Sequence, residues 1–254
     1  MLKYLKVIFK ALPAIIHAYF SWMLKYSKNP NKYPLEERFF KVQKLIRKVL
    51  KSFNLYIENN DLKEFYENCN KNENYFFVCN HLSNLDPLIF IACAKRPITF
   101  VSKIENEKKI LVGRIIKILN GDFMDRNDPR QSVKIMKNIE NKLNSNTICD
   151  YMIFPEGTRN KNYDKETILP YHYGSFKPAF RSKKNIVVFA TFGQQKVLSF
   201  KDNKKYYYAS IKKVEQINKE RFENTNTVEL AEEVMNKTKV IVKKLMDEND
   251  KLMS

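Results

Sequence analysis

Glycine is scarce, with five residues in a chain of 254. So few positions free of a side chain argue against extensive glycine-rich loops, and a nucleotide site cradled by backbone amides has little to be built from. Cysteine is scarce too. Cys69, Cys79, Cys93 and Cys149 show neither C-x-x-C spacing nor a pairing pattern. That speaks against a disulfide framework, a metal site or a catalytic thiol, and leaves reduced, mostly buried thiols in a cytosolic environment as the expectation. There is no G-x-S-x-G and no convincing serine or cysteine nucleophile. No internal repeat is present. Acidic residues are the minority, 28 against 46 Lys and Arg, for a net charge of +18. A surface that basic repels itself unless it meets something acidic, and nucleic acid and anionic lipid are the two obvious partners. Abundant Lys and Asn throughout also point to a compositional bias. With 44% hydrophobic and 13% aromatic residues, a sizeable core is within reach.

Long uninterrupted apolar runs are missing as well. Residues 2–24 are largely apolar, but Lys3, Lys6, Lys10, His17, Ser21, Lys25 and Lys28 recur at spacings of three, four or seven. At helical periodicity they form one stripe. Leu5, Ile8, Phe9, Leu12, Ile15, Ile16, Tyr19, Phe20 and Met23 occupy the other faces. A membrane-spanning helix needs about 20 predominantly apolar residues, and three early lysines argue against one. No small-residue cleavage site follows, so a signal peptide also fits poorly. A basic amphipathic helix lying in the membrane interface is the first reading. A helix docked on the protein's own core and a true span are the weaker ones. Pro13 removes a hydrogen bond and is expected to bend the helix.

A second helix is expected from Pro34, a good first-turn residue. Leu35, Phe39, Val42, Leu45, Ile46, Val49, Leu50 and Phe53 form its apolar stripe, opposite Arg38, Lys41, Lys44, Arg47, Lys48 and Lys51. Residues 1–53 thus read as a two-helix amphipathic unit for membrane association. From residue 54 to 254 the pattern changes. Strand-like runs at 55–58, 75–80, 98–102, 123–126, 148–154, 186–192 and 206–211 alternate with helical stretches at 87–95, 111–119, 129–143 and 227–247. Asn226 and Glu229 offer a capping-box start to the last helix. Such alternation implies an α/β domain with a mixed, largely parallel sheet flanked by helices.

Of the three histidines, His17, His81 and His172, only His81 follows a buried-looking strand and precedes a helix start. Ligands bind beyond the carboxyl ends of strands in such folds. Asp86 stands just before Pro87, the place of a helix N-cap. Five residues apart on a continuous helix, His81 and Asp86 would diverge, but across a turn they can meet. A carboxylate on one imidazole nitrogen fixes the tautomer and leaves the other nitrogen free as a base. The blander reading is a helix cap beside a turn histidine. A second polar cluster, Phe154-Pro155-Glu156-Gly157-Thr158-Arg159, also follows an apolar run. Gly157 permits a tight turn, and the Arg159 guanidinium is a planar fork suited to phosphate.

Together, Asn80-His81-Leu82-Ser83-Asn84-Leu85-Asp86 and Phe154–Arg159 resemble the paired motifs of the lysophosphatidate and glycerol-3-phosphate acyltransferase superfamily, Asn-His-x-x-x-x-Asp and Phe-Pro-Glu-Gly-x-x-Arg. Three weaker blocks match in order. Val101–Glu105 resembles a lysine-containing segment, Phe123–Arg126 a hydrophobic-Asp-Arg block, and Leu169–Phe176 a Pro-x-x-x-Gly segment. Asn120-Gly121-Asp122 and His172 depart from the usual pattern. The resemblance implies a 1-acylglycerol-3-phosphate O-acyltransferase of phospholipid biosynthesis. His81 would act as general base, oriented by Asp86. Glu156, Gly157, Thr158, Arg159, Lys103 and Arg126 would hold the acceptor. Acyl carrier protein or coenzyme A would carry the acyl thioester, with no metal or organic cofactor. The expected partners are lysophosphatidic acid and anionic lipids on the cytoplasmic face of the cell membrane, held peripherally or monotopically. Acylation of glycerol 3-phosphate or another lysophospholipid is the nearest rival. A silent membrane adaptor is a more distant one. A nucleic-acid-binding module fits poorly, because the basic residues cluster on amphipathic helices rather than among stacking aromatics.

Overall fold

A computed structural model describes residues 2–199 and 204–253, with residues 2–8 described by their backbone alone. The N-terminal part contains helices α1 (Leu2–Ala18), α2 (Leu24–Lys28) and α3 (Leu35–Ser52). Then come β1 (Leu55–Glu58), α4 (Asn60–Asn68), β2 (Phe76–Cys79), α5 (Asp86–Cys93), β3 (Ile98–Lys103), α6 (Val112–Ile118) and β4 (Asp122–Met124). The chain continues through α7 (Pro129–Leu143), β5 (Asp150–Ile153), α8 (Lys177–Ser182), β6 (Ile186–Phe192), α9 (Gln194–Val197), β7 (Tyr207–Ile217) and α10 (Thr227–Met253).

The strands form one sheet in the order β1-β7-β6-β2-β5-β3-β4. Strands β2 to β6 run parallel, and β7 turns antiparallel against β6 with β1 alongside it. This is the α/β class with a largely parallel mixed sheet. Its central strands are buried on both faces, as parallel strands covered by helices are. Phe77 and Cys79 of β2 join the core under α3, α4 and α5, while Phe76 and Val78 join the core under α7 and α10. The carboxyl ends of five parallel strands therefore share one edge.

Helix α3 braces the domain at the end of α5 away from that edge. The apolar stripe of α3 is buried at Phe39, Val42, Leu45, Ile46 and Leu50. Its basic side is not wholly solvated, as the periodicity suggested. Arg38 is buried and donates to the carbonyls of Tyr33 and Ile118 and to Asn120 Oδ1. Gln43 Nε2 donates to the Ile91 and Ala94 carbonyls, and Arg47 Nε to that of Ala92. The last carbonyls of a helix have no partner within it. Here α3 supplies those partners for α5, the helix that opens at Asp86.

The apolar side of α1 is divided. Ala11, Ala18, Met23 and Tyr26 are buried against the domain, with Ala14, Ile15, Tyr19 and Trp22 packed beside them. Phe9, Leu12, Ile16 and Phe20 remain exposed. The side chains of Lys3, Leu5, Lys6 and Ile8 lie outside the described residues. The helix continues through Pro13, and the irregular turn falls later, as a π-helical stretch at Tyr19–Met23. Among the described residues no helix is long and apolar enough to cross a membrane.

Helices α4, α8 and α9 are not expected from the sequence, and β7 and α10 run past their expected ends, α10 to Met253. Helix α4 was hidden because only Leu62, Phe65 and Tyr66 of its nine residues are apolar and buried. Strand β7 runs to Ile217 rather than ending near 211, since its outer positions are Lys, Glu and Gln that mimic a loop.

Candidate active site

His81 stands two residues past β2, in a loop that returns at once to α5. Asp86 is fully buried at the first turn of that helix. Its side chain does not cap the helix amides. It turns back into the preceding loop, where Oδ2 accepts from His81 Nδ1 at 2.7 Å, Leu82 N at 2.7 Å and Ser83 N at 2.9 Å. The other oxygen, Oδ1, accepts from Gln194 Nε2 at 2.7 Å. An ionised carboxylate only accepts, so four donors converging on it place the His81 proton on Nδ1. The free lone pair is then on Nε2, where the ring is partly solvent-exposed (17%). His81 is stacked on Phe154 with centroids 4.4 Å apart and planes at 24°. Hydrogen bond and stack together fix the direction in which Nε2 points.

The second motif is tied to the first through Glu156. This residue was expected to help hold the acceptor, but it is buried and its carboxylate is already occupied. Oε1 accepts from His81 N at 2.6 Å and Oε2 from Leu169 N at 3.0 Å. The His81 carbonyl accepts from Asn160 N at 2.7 Å. The two loops thus grip each other through backbone atoms of His81 itself. Gly157 has φ +65, a left-handed conformation costly for other residues. A Cβ there would stand 3.0 Å from His172 Cδ2, so the third histidine packs against this turn.

The cations are arranged in a row rather than a cluster. Thr158 is exposed and Arg159 half-buried at the turn after β5. Lys103 ends β3, and Arg126 follows β4 by two residues. Strands lie about 4.8 Å apart, so Lys103 is about 10 Å from the β2 end that carries His81, and β4 is a further strand away. Lys103 and Arg126 are both exposed. Among the described residues, Arg159, Lys103 and Arg126 make no ion pair within the chain. No group of three or more His, Cys, Asp or Glu with metal-binding geometry occurs there either.

Sequence reading missed Gln194. It is fully buried and lies 108 positions from Asp86. Its only local signal is a glycine, Gly193, directly after an apolar strand. Asn80 was noticed only as a motif letter. In the structure its side chain continues the β2–β6 pairing, donating to the Thr191 carbonyl at 3.0 Å and accepting from Thr191 N at 2.8 Å.

Burial pushes the Glu156 carboxyl up to about 7, against the two amides that lower it. A carboxyl raised in the folded state stabilises the fold fully below its unfolded value, near 4.5, and loses that contribution as pH climbs to about 7. At about 1.4 kcal/mol per tenfold, the change is about 3 kcal/mol. Glu156→Gln removes the titration. Urea unfolding across pH 4 to 8 is expected to show the stability of the variant relative to wild type rising by that order across this window. A difference independent of pH contradicts it.

The acyltransferase family profile matches residues 62–191. That span runs from α4 to the end of β6 and holds both motif loops. Proteins named as probable 1-acyl-sn-glycerol-3-phosphate acyltransferases from Mycoplasma genitalium and Mycoplasma pneumoniae are each 32% identical over 158 residues, covering 60% of this chain and 53% of theirs. A 1-acyl-sn-glycerol-3-phosphate acyltransferase from Borreliella burgdorferi is 29% identical over 122 residues, covering 48% of this chain and 46% of that one. The chain spans about half the length of the curated relatives it matches. A crystal structure of the acyltransferase PlsC from Thermotoga maritima superposes with a TM-score of 0.70 at 20% identity, covering 96% of this chain and 98% of that one. It shares the fold. With its family profile spanning both loops around His81, this chain belongs to the acyltransferase family.

Proposed function

We propose that the protein transfers a fatty acyl group from a thioester to the sn-2 hydroxyl of 1-acyl-glycerol 3-phosphate, giving phosphatidic acid. The observation that carries this reading is His81, bound at Nδ1 by Asp86 and free at Nε2. Nε2 takes the hydroxyl proton as the oxygen attacks the thioester carbonyl carbon. The C–S bond breaks, and the departing thiolate takes the proton back from the imidazolium. No acyl-enzyme is required. General-base action of this kind contributes roughly 10²–10⁴ in rate. Acyl carrier protein or coenzyme A supplies the thioester, and the chemistry calls for no metal or organic cofactor. The names borne by the relatives support the choice of acceptor.

Arg159, next to the Asn160 amide that holds the His81 carbonyl, is the cation that takes the acceptor phosphate, with Thr158 and the Gly157 turn beside it. Lys103 and Arg126 extend the positive edge outward, where a phosphate or an anionic headgroup can meet it. Glu156 acts behind the site by holding His81 and the 169 region together. The exposed stripe of Phe9, Leu12, Ile16 and Phe20, flanked by exposed Lys10, Lys25 and Lys28, suits a helix lying at an anionic leaflet. Residues 1–53 would then hold the domain of residues 54–254 peripherally on the cytoplasmic face of the membrane. Each Lys or Arg near such a surface contributes about 1 kcal/mol.

Turnover with lysophosphatidate and with glycerol 3-phosphate, each offered with acyl coenzyme A and acyl carrier protein, tests the reaction. Lysophosphatidate is the expected acceptor, and His81→Ala is expected to lose roughly 10²–10⁴ in kcat with an unchanged melting curve. Equal rates for the variant sink the mechanism, and preference for glycerol 3-phosphate overturns the acceptor. For the membrane surface, Phe9→Ser with Phe20→Ser is expected to weaken binding to anionic vesicles by about tenfold or more, since burying each ring is worth about 1.5–3 kcal/mol. Unchanged partitioning removes this helix from the interface.

A further inference from the structure

We propose that Gln194 is a positioning residue for the reaction, holding the Asp86 carboxylate in the rotation that aims Oδ2 at His81. This rests on the acyl-transfer reading of the site. Three of the four donors on Asp86 reach Oδ2, and all three come from residues 81–83. The fourth, Gln194 Nε2, is the donor to Oδ1. Asp86 and Gln194 are both fully buried. An unpaired buried carboxylate oxygen is costly, and so is an unpaired buried amide. Each satisfies the other. Without Gln194, Oδ1 faces the interior with no donor, and the carboxylate gains by rotating or drawing in water. Either change spoils the line to Nδ1.

Gln194 is itself held from two sides. Its Oε1 lies 3.1 Å from Thr191 Oγ1, a hydroxyl that also reaches the Ser210 carbonyl at 2.9 Å. Thr191 pairs through its backbone with the Asn80 side chain, and Asn80 is the neighbour of His81. The chain of contacts is a closed ring: His81, Asp86, Gln194, Thr191, Asn80 and back to His81. It joins the end of β6 to the end of β2. Gly193 makes the ring possible. Its φ is +103, and a Cβ there would lie 2.0 Å from the Tyr208 carbonyl oxygen. Only a residue without a side chain lets the turn pass so close to β7 and aim Gln194 inward. The family profile ends at residue 191, so Gln194 lies beyond the matched segment.

The amide is neutral and exchanges no proton with substrate. Its effect is on orientation, and so on kcat rather than on binding. The experiment compares wild type with Gln194→Met, close in size but without a donor, in the lysophosphatidate assay. It also follows the low-field proton resonance of the His81 Nδ1–H bond to Asp86. Expected are a kcat lower by about tenfold or more, KM for both substrates within about twofold, a lowered melting temperature with the cooperative transition retained, and a shifted or broadened resonance. Gln194→Leu, likewise without a donor, takes its place if the methionine variant does not fold. Wild-type kcat with an unmoved resonance overturns the proposal. So does a raised KM at unchanged kcat, which marks a substrate-binding role. If wild type itself turns over no lysophosphatidate, the functional reading falls, and the resonance alone decides whether Gln194 orients the pair.

Discussion

The Asp86 carboxylate is buried with its two oxygens held by four donors. A carboxylate taken from water is tolerated only when its lone pairs are met. The donors come from the loop after β2 and the turn after β6, while the carboxylate sits at the head of α5. Those segments must therefore keep a fixed mutual position. The parallel sheet provides it by setting β6 beside β2. Helix α3 provides the rest, because Gln43 and Arg47 occupy the carbonyls at the far end of α5. What looks like a surface helix in the N-terminal region is in this way part of the support for a buried charge.

From that charge the chemistry follows in short steps. Asp86 selects the Nδ1–H tautomer of His81, Phe154 sets the plane of the ring, and Glu156 pins the His81 backbone. Nε2 is left at the edge of the sheet where five strand ends converge. Along that edge stand Arg159, Lys103 and Arg126, which make no ion pair among the described residues. Asp86 is met by His81, two loop amides and Gln194, whereas Asp150 is paired with the Arg96 guanidinium and also met by Tyr66 and the Tyr75 amide. The contrast separates a carboxylate paired with a guanidinium at one edge of the sheet from one held against a histidine at the other.

Much of this is legible in the amino-acid sequence. Apolar runs located the seven strands because parallel strands buried on both faces are nearly continuous hydrophobic stretches. Helical periodicity located α3 and α7 to within a residue. The pairing of His81 with Asp86 was readable as a possibility, because a spacing of five closes only across a turn. Other features were not. Periodicity classes Arg38 and Arg47 with the solvated lysines of α3, since it records a face and not a partner 45 or 80 positions away. Glu156 reads as a ligand for substrate, because sequence does not disclose that two amides already hold it. Gln194 is invisible for the same reason. Its importance is entirely the carboxylate it touches. The apolar side of α1 was read as one surface, and the division into a packed half and an exposed half depends on where α3 and α6 stand.

In the proposed reaction the Asp86 charge orients His81 for proton transfer. Asp86→Asn keeps the shape and removes the charge, and acyl transfer to lysophosphatidate measured alongside thermal unfolding tests the claim directly. A fall in kcat of roughly 10²–10⁴ is expected, with KM little changed and the folded state retained. An asparagine variant that turns over at the wild-type rate would contradict it.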